Sequence, residues 1–268
     1  MPRNAALVFG MWLIATVVAL GEIFWGADKR VAEPLASMAL PVTHKNEEKM
    51  KFELLTPQKQ RFFSHLAPLV IQENELVLSI HQKLVEMTGK TFLNASDHAL
   101  LTSLAGEYAL PKKVNDDQQR LAYLLRRIDV VPADMVLAQA AIESGWGTSR
   151  FAREANNYFG HWCYKKGCGL VPARREKGSH HEVRSFANAG ESVRAYLKNI
   201  NTHPAYHALR VKRETFREQD AVVTGVELAE GLMDYSAQGS QYVSLVRHVI
   251  VDNKLDRRVS GVQLAVNP

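Results

Sequence analysis

The sequence predicts an α+β fold, mainly helical with a small β insertion, on three observations. Apolar residues recur at intervals of three and four from residue 57 to about 128, and again beyond 188. The segment after Pro132, ADMVLAQAAIESG, is apolar nearly all round, which marks a helix at the centre of a domain. Between 160 and 187 the helical period lapses into a stretch rich in Gly and Pro, where Val183 and Ser185 alternate with Arg184 and Phe186. Helices flanking a β-hairpin or small irregular sheet make an α+β domain.

In chain order, Arg3 precedes an uncharged run from Ala5 to Gly21, followed by Glu22 and Ile23-Phe24-Trp25. The run exceeds the roughly 7–15 apolar residues of a usual signal-peptide core and falls short of the roughly 20 of a typical span. No small-x-small cleavage site stands out after it, and Trp25 is suited to a lipid–water interface. Residues 1–26 are therefore expected to be a signal anchor, with a cleaved export signal as the alternative. The protein would then sit in the cell envelope, anchored in the inner membrane and facing the periplasm, or be exported after cleavage. Residues 27–50, with Pro34, Pro41 and mixed charge, read as a tether.

Thr56-Pro57 is a helix start, after which Phe62, Phe63, Leu66, Leu69, Val70, Leu76, Ile80 and Leu84 predict one long helix or a broken pair. Ser96-Asp97 opens a second helix, with Leu100, Leu101 and Leu104 on one side. Asp116 opens a third, through Leu121, Leu124, Leu125 and Ile128. These make residues 51–130 a helical N-terminal region packed on a domain at 131–256. Gly145 supplies the stop of the central helix. After the β insertion, Asn188 with Glu191 resembles a capping box before the stripe Val193, Tyr196, Leu197, Ile200. Two more helices are expected near 219–231 and 240–253.

Composition excludes less than the order of residues does. The chain is 46% apolar and 23% charged, and its net charge of +5 favours anionic polymers or surfaces. No zinc-finger spacing, basic-region heptad or stacking motif favours nucleic acid. Cys163 and Cys168 bracket four residues, which in an exported protein suggests a disulfide-closed turn. A two-cysteine metal site is the alternative, but zinc normally takes four ligands and no second CxxC exists. His181-Glu182 begins like a zinc-protease motif, yet Ser185 stands where the second histidine belongs. His203 and His207 share helical spacing, with Pro204 between them suggesting a helix-start turn. No metal and no cofactor is expected.

Glu143 is the candidate for chemistry. It lies near the C-terminal end of the most buried helix, one turn beyond Gln139. Burial and the negative end of a helix both raise a carboxyl pKa, as a general acid near neutrality requires. Ser144, Gly145 and Gly147 leave room for a bulky substrate. Trp146 and Phe159 offer flat surfaces for sugars, and Asn157 can fix a turn or an acetamido group. Each has a bland alternative as core or turn material, and Trp162 reads as core.

The string Ala-Gln-Ala-Ala-Ile-Glu-Ser-Gly-Trp-Gly at 138–147, with Asn156-Asn157-Tyr158-Phe159-Gly160, resembles the bacterial glucosaminidases of glycoside hydrolase family seventy-three. Trp162 through Pro172, spelled WCYKKGCGLVP, is similar to the Bax-like branch of that family. The resemblance covers roughly residues 130–250. It implies a lysozyme-like fold with a small β-hairpin lobe, Glu143 as general acid, and peptidoglycan glycan strands cut at β-1,4 bonds after N-acetylglucosamine. Tyr235 falls where the family has a cleft-facing tyrosine, although Asp234 replaces the preceding glycine. The family's second carboxylate maps to Arg174, leaving Glu176 as the nearer substitute and Glu182 as a residue expected to face solvent beside His181. A non-catalytic wall-binding or scaffold protein, and a lytic transglycosylase, are the other readings.

Overall fold

The structure, a computed structural model, describes residues 55–176 and 178–259. The anchor and tether expected within 1–50 lie outside the described residues. Among the described residues no helix is long and apolar enough to cross a membrane.

Helix α1 (Pro57–Thr88) is a single helix of 32 residues, not a broken pair. Pro57 occupies its first turn, where a missing N–H costs nothing. Pro68 lies within it on the exposed side, and Ser64, whose carbonyl it deprives of a helical donor, is exposed too. Helix α2 (Ala95–Glu107) starts slightly before the expected Ser96-Asp97, because Asn94 forms a complete capping box with Asp97. Helix α3 (Asp117–Arg127) is capped by Asp116, as its sequence implied. Then follow the central helix α4 (Ala133–Ser144) and the short α5 (Arg150–Ala155).

The β lobe is a three-stranded antiparallel sheet of β1 (Trp162–Cys163), β2 (Gly169–Leu170) and β3 (Glu182–Arg184). The last strand is central, in the order β1-β3-β2, with Trp162 opposite Val183 and Gly169 opposite Arg184. A Cβ at Gly169 would lie 1.9 Å from the Val183 carbonyl oxygen, so only glycine fits this approach. A Cys163–Cys168 disulfide closes the β1–β2 turn, with Cα atoms 6.2 Å apart.

The chain returns to helix with α6 (Ala189–Thr202), capped by Asn188, and a 3₁₀ turn at Pro204–Tyr206. Next come α7 (His207–Glu218), the single-turn α8 (Gly225–Leu228), a 3₁₀ turn at Ala229–Leu232, α9 (Ser240–Asp252) and α10 (Leu255–Arg258). The helix expected near 219–231 is realised only as α8 and the 3₁₀ turn at 225–232; 219–224 is loop, and the longer α7 before it was not expected. The buried residues of α7 are Leu209, Arg210 and Arg213, so two of the three inward positions carry charge and conceal the apolar stripe.

Two cores result. The larger gathers α4, the Phe62–Val70 half of α1, α6, α9 and the Leu228–Leu232 turns. Met135, Val136 and Leu137 are wholly enclosed, each contributing about 1.5–3 kcal/mol by burial. The smaller core joins Leu84 and Met87 of α1 to α2 and α3. Helix α1 therefore belongs to both, and residues 57–70 are as much part of the α4 core as any element after 131.

A buried ionic knot fixes α3 to α7. Arg213, 1% exposed, donates through Nη1 to the Asp129 and Val130 carbonyls and Asn201 Oδ1, and through Nη2 to the Arg126 and Arg127 carbonyls at the end of α3. Asp129 Oδ2 lies 3.5 Å from Arg213 Nε, and both carboxylate oxygens accept from Arg217, at 2.6 and 3.0 Å. Burial pushes the Asp129 carboxyl up, but Arg213 and Arg217 outweigh it and hold the group below its ordinary value. Asp129→Asn should cost about 3–5 kcal/mol in urea unfolding at neutral pH, since it leaves Arg213 buried without its counter-charge. Because the folded pKa is depressed, the contribution is complete above about pH 4 and fades as pH falls through the folded value, so the gap between the two proteins should narrow in acid. Equal stability at neutral pH would contradict this assignment.

Candidate active site

Helix α4 ends because Gly145 takes a left-handed conformation, φ 58°. Ser144 then folds the following loop back onto the last turn: its hydroxyl donates to the Ala140 carbonyl at 2.6 Å and accepts from Gly147 N–H at 2.8 Å. Trp146 N–H reaches back to the Ala141 carbonyl at 2.9 Å. Gly147, at φ 75°, passes so close to α1 that a Cβ would meet the Phe62 ring at 3.2 Å. The Trp146 indole is set edge-to-face against Phe62 and Phe63, with Lys59 Nζ 4.4 Å from its centroid.

This places Glu143 on the final turn, partly open to solvent at the residue level but with Oε2 buried and without a protein partner. Oε1 accepts from the Tyr242 hydroxyl at 2.8 Å. Tyr242 in turn accepts from Gln139 Nε2 at 3.0 Å, and Gln139 Oε1 accepts from the Tyr196 hydroxyl. The chain of donors thus runs one way, from Tyr196 through Gln139 and Tyr242 to the carboxylate. Ring stacking fixes its two tyrosines. Phe159 stacks on Tyr196 at 4.2 Å, Tyr235 on Tyr242 at 4.9 Å, and Tyr206 lies 5.9 Å from Tyr235.

Desolvation pushes the Glu143 carboxyl up to about 7, against the opposing pull of the Tyr242 hydrogen bond. One neutral donor cannot replace the water a carboxylate loses on burial. The surrounding phenols are raised as well, by their own burial and, as a smaller contribution, by the Glu143 charge, so they stay protonated as donors. The arrangement can hold a proton on a carboxyl near neutral pH and deliver it beside a half-buried tryptophan.

The other candidates fall in distinct places. Gln139 is wholly buried and sits beneath Glu143, where it orients Tyr242 instead of presenting a surface. Phe159 is interior, behind Tyr196. Asn157 is interior too and fixes a turn: its Nδ2 donates to the His161 and Arg184 carbonyls, both at 2.8 Å, and its Oδ1 accepts from His161 N–H. Trp162, read as core, is half-buried on the β lobe and stacks on His181 at 4.0 Å. Glu176 is exposed on the loop before β3.

Glu182 corrects an expectation. It does not face solvent: it is 6% exposed, and its oxygens accept from Gly167 N–H at 3.0 Å and Gly169 N–H at 2.9 Å. These backbone donors hold its carboxyl below the ordinary value. The metal alternative at Cys163 and Cys168 also falls, since their sulfurs are bonded to each other.

Three tyrosines, Tyr196, Tyr206 and Tyr242, escaped the reading of the sequence as site residues. Tyr242 lies in the apolar stripe of α9 and Tyr196 in that of α6, so each has the spacing of a core residue, and in their rings they are core. The Tyr196 hydroxyl donates to Gln139 and the Tyr242 hydroxyl to Glu143, and no periodicity reports that.

Residues 119–255 match the family model described as mannosyl-glycoprotein endo-beta-N-acetylglucosaminidase. The chain is also 32% identical over 204 residues to Protein bax of Escherichia coli (strain K12), an overlap of 76% of this chain and 73% of that protein. No solved structure gives a significant match. The family match runs from α3 to α10 and so includes Glu143, the β lobe and Tyr242, but not α1, whose Lys59, Phe62 and Phe63 hold Trp146.

The raised Glu143 pKa makes a prediction independent of any substrate. A carboxyl whose folded pKa exceeds its unfolded value favours folding below the unfolded pKa and loses that contribution as pH rises through the folded one. Glu143→Gln keeps the shape without the charge, so its melting temperature should match the parent near pH 4 and exceed it increasingly up to about pH 7, then by a constant margin. Parallel melting curves at all pH values would contradict the shift.

Proposed function

The chain belongs to the mannosyl-glycoprotein endo-beta-N-acetylglucosaminidase family, and from that premise we propose that it hydrolyses the β-1,4 bonds of peptidoglycan after N-acetylglucosamine with Glu143 as general acid. The observation that carries this reading is the Glu143 carboxyl itself, raised to about 7 and engaged by a single donor.

With a raised pKa and Tyr242 as its one hydrogen-bond donor, the Glu143 carboxyl holds the proton to be transferred. Transfer of that proton to the glycosidic oxygen lets the C1–O bond break with its electron pair on the leaving sugar, while positive charge develops at C1. Water adds to C1, and the proton it releases restores the acid. Tyr242 stabilises the carboxylate formed midway, and Gln139 and Tyr196 hold Tyr242 in the donating orientation. Tyr235 supports Tyr242 from behind by stacking. Trp146, half-exposed beside the acid, is the proposed sugar-facing ring.

A second carboxylate is harder to find. Glu182 is engaged by the loop amides, and Glu176 is exposed on its loop. We therefore take the acetamido group of the substrate to assist departure, with Glu176 in a secondary part. A single-acid site also suits a lytic transglycosylase, whose products would end in an anhydro sugar. Export to the envelope through an anchor in residues 1–26 completes the proposal, and the disulfide agrees with an oxidising compartment.

Three outcomes are expected. Glu143→Gln should lose about 10²–10⁴-fold in rate on purified peptidoglycan, and Glu176→Gln much less. New reducing ends should be N-acetylglucosamine by mass analysis, and activity should fall as pH rises through about 7, where the acid gives up its proton. Carbonate-washed membranes should retain the full-length protein, whereas soluble protein starting beyond residue 20 would overturn the anchor. Near-parental activity of Glu143→Gln would overturn the central role.

A further inference from the structure

The net charge of +5 is unevenly placed: residues 160–187 hold six Lys or Arg against Glu176 and Glu182 alone, so this short segment carries +4. The fold sharpens that asymmetry. The Glu182 charge is answered inside the lobe by the Gly167 and Gly169 amides, which removes one of the two acidic groups from the surface. Lys165, Lys166 and Arg174 are exposed, and among the described residues none of the three is ion-paired. The disulfide holds the two lysines in a closed turn, with Cys168 N–H on the Lys165 carbonyl at 3.0 Å. Arg150, paired with Glu154 at 3.9 Å on α5, ties that helix to the lobe, its Nη2 donating to the Val171 carbonyl at 2.8 Å beside β2.

Like charges gathered on one face repel, and an anionic partner offsets the cost. Building on the glycosidase reading above, we propose that the basic face of the β lobe docks the acidic peptide stems of peptidoglycan, so that the protein selects peptide-bearing strands over stripped glycan. Stem carboxylates are the acceptors that Lys and Arg engage through charge-assisted hydrogen bonds. Between the acid helix and the lobe lie the loop 145–149, α5 and the turn 156–161, and α5 packs directly on β2 and β3. A strand reaching Glu143 thereby brings its own stems to this face. The half-buried Trp162–His181 stack lies in the same lobe, with Arg175 donating to the His181 carbonyl at 3.2 Å, and pairs an aromatic surface with cations.

The test uses Glu143→Gln protein, which binds without cutting, on peptide-bearing strands and on the same strands stripped by an amidase. Binding should favour the peptide-bearing strands and the preference should fade as salt rises. Adding Lys165→Glu with Lys166→Glu should weaken binding to peptide-bearing strands on the order of tenfold. The same charge change at exposed Lys112 and Lys113, between α2 and α3, should not. Thiol titration checks that the disulfide persists, and Arg174→Glu, outside that loop, should act in the same direction. Equal binding to both strand types, or equal losses from the two lysine pairs, would overturn the proposal. So would binding to phosphatidylglycerol vesicles that is lost in the Lys165/Lys166 variant while strand binding is kept. Because binding is read apart from cleavage, absence of new reducing ends would remove the catalytic reading alone, and absence of stem preference the docking alone.

Discussion

A twelve-residue helix with no polar face can persist only if it is enclosed on every side, and most of this fold is the enclosure of α4. Its backbone makes its own hydrogen bonds, so the surrounding elements supply apolar surface, and partners for only two buried polar side chains, Asp134 and Gln139, up to the last turn. There the enclosure ends on Glu143, and the constraint changes sign. A group that the same tight packing strips of water keeps one hydroxyl, from Tyr242, and holds its proton up to about pH 7. The chemistry proposed for the site thus follows from the packing that stabilises the helix.

Long-range ties keep that enclosure in register. Helix α1 lies against α4 at one end and shares the second core with α2 and α3 at the other. Arg213 and Asp129 lock the end of α3 to α7 through carbonyls that helices otherwise leave unpaired. The loop after Glu143 is bounded by the Phe62 ring on one side and the Ser144 hydroxyl on the other. Its geometry therefore depends on residues more than eighty positions upstream, outside the 119–255 region that defines the family.

What could be read in the sequence was local. Asp116, Asn188 and Gly145 announced helix boundaries because a cap is a single residue acting on its neighbours. The all-apolar run after Pro132 announced the centre, and the Glu at its end a carboxyl that burial would push up. What escaped was whatever depends on distant partners. Helix α7 was missed because Arg210 and Arg213 face inward, which only the carbonyls they meet can explain. Glu182 looked like a surface charge because its partners are backbone amides of the disulfide turn, which have no sequence signature. Gln139 and Phe159, expected to meet substrate, are instead interior: Gln139 links the Tyr196 and Tyr242 hydroxyls beneath Glu143, and Phe159 stacks behind Tyr196.

The central claim is that the fold keeps the Glu143 carboxyl protonated near neutral pH, and it can be read on the carboxyl directly. With glutamate labelled by carbon-13 at Cδ, the pH titration of the parent is compared with that of Glu143→Gln to isolate the one resonance that disappears. That resonance should titrate with a midpoint near 7. A midpoint near the ordinary glutamate value of 4.5 would contradict the account.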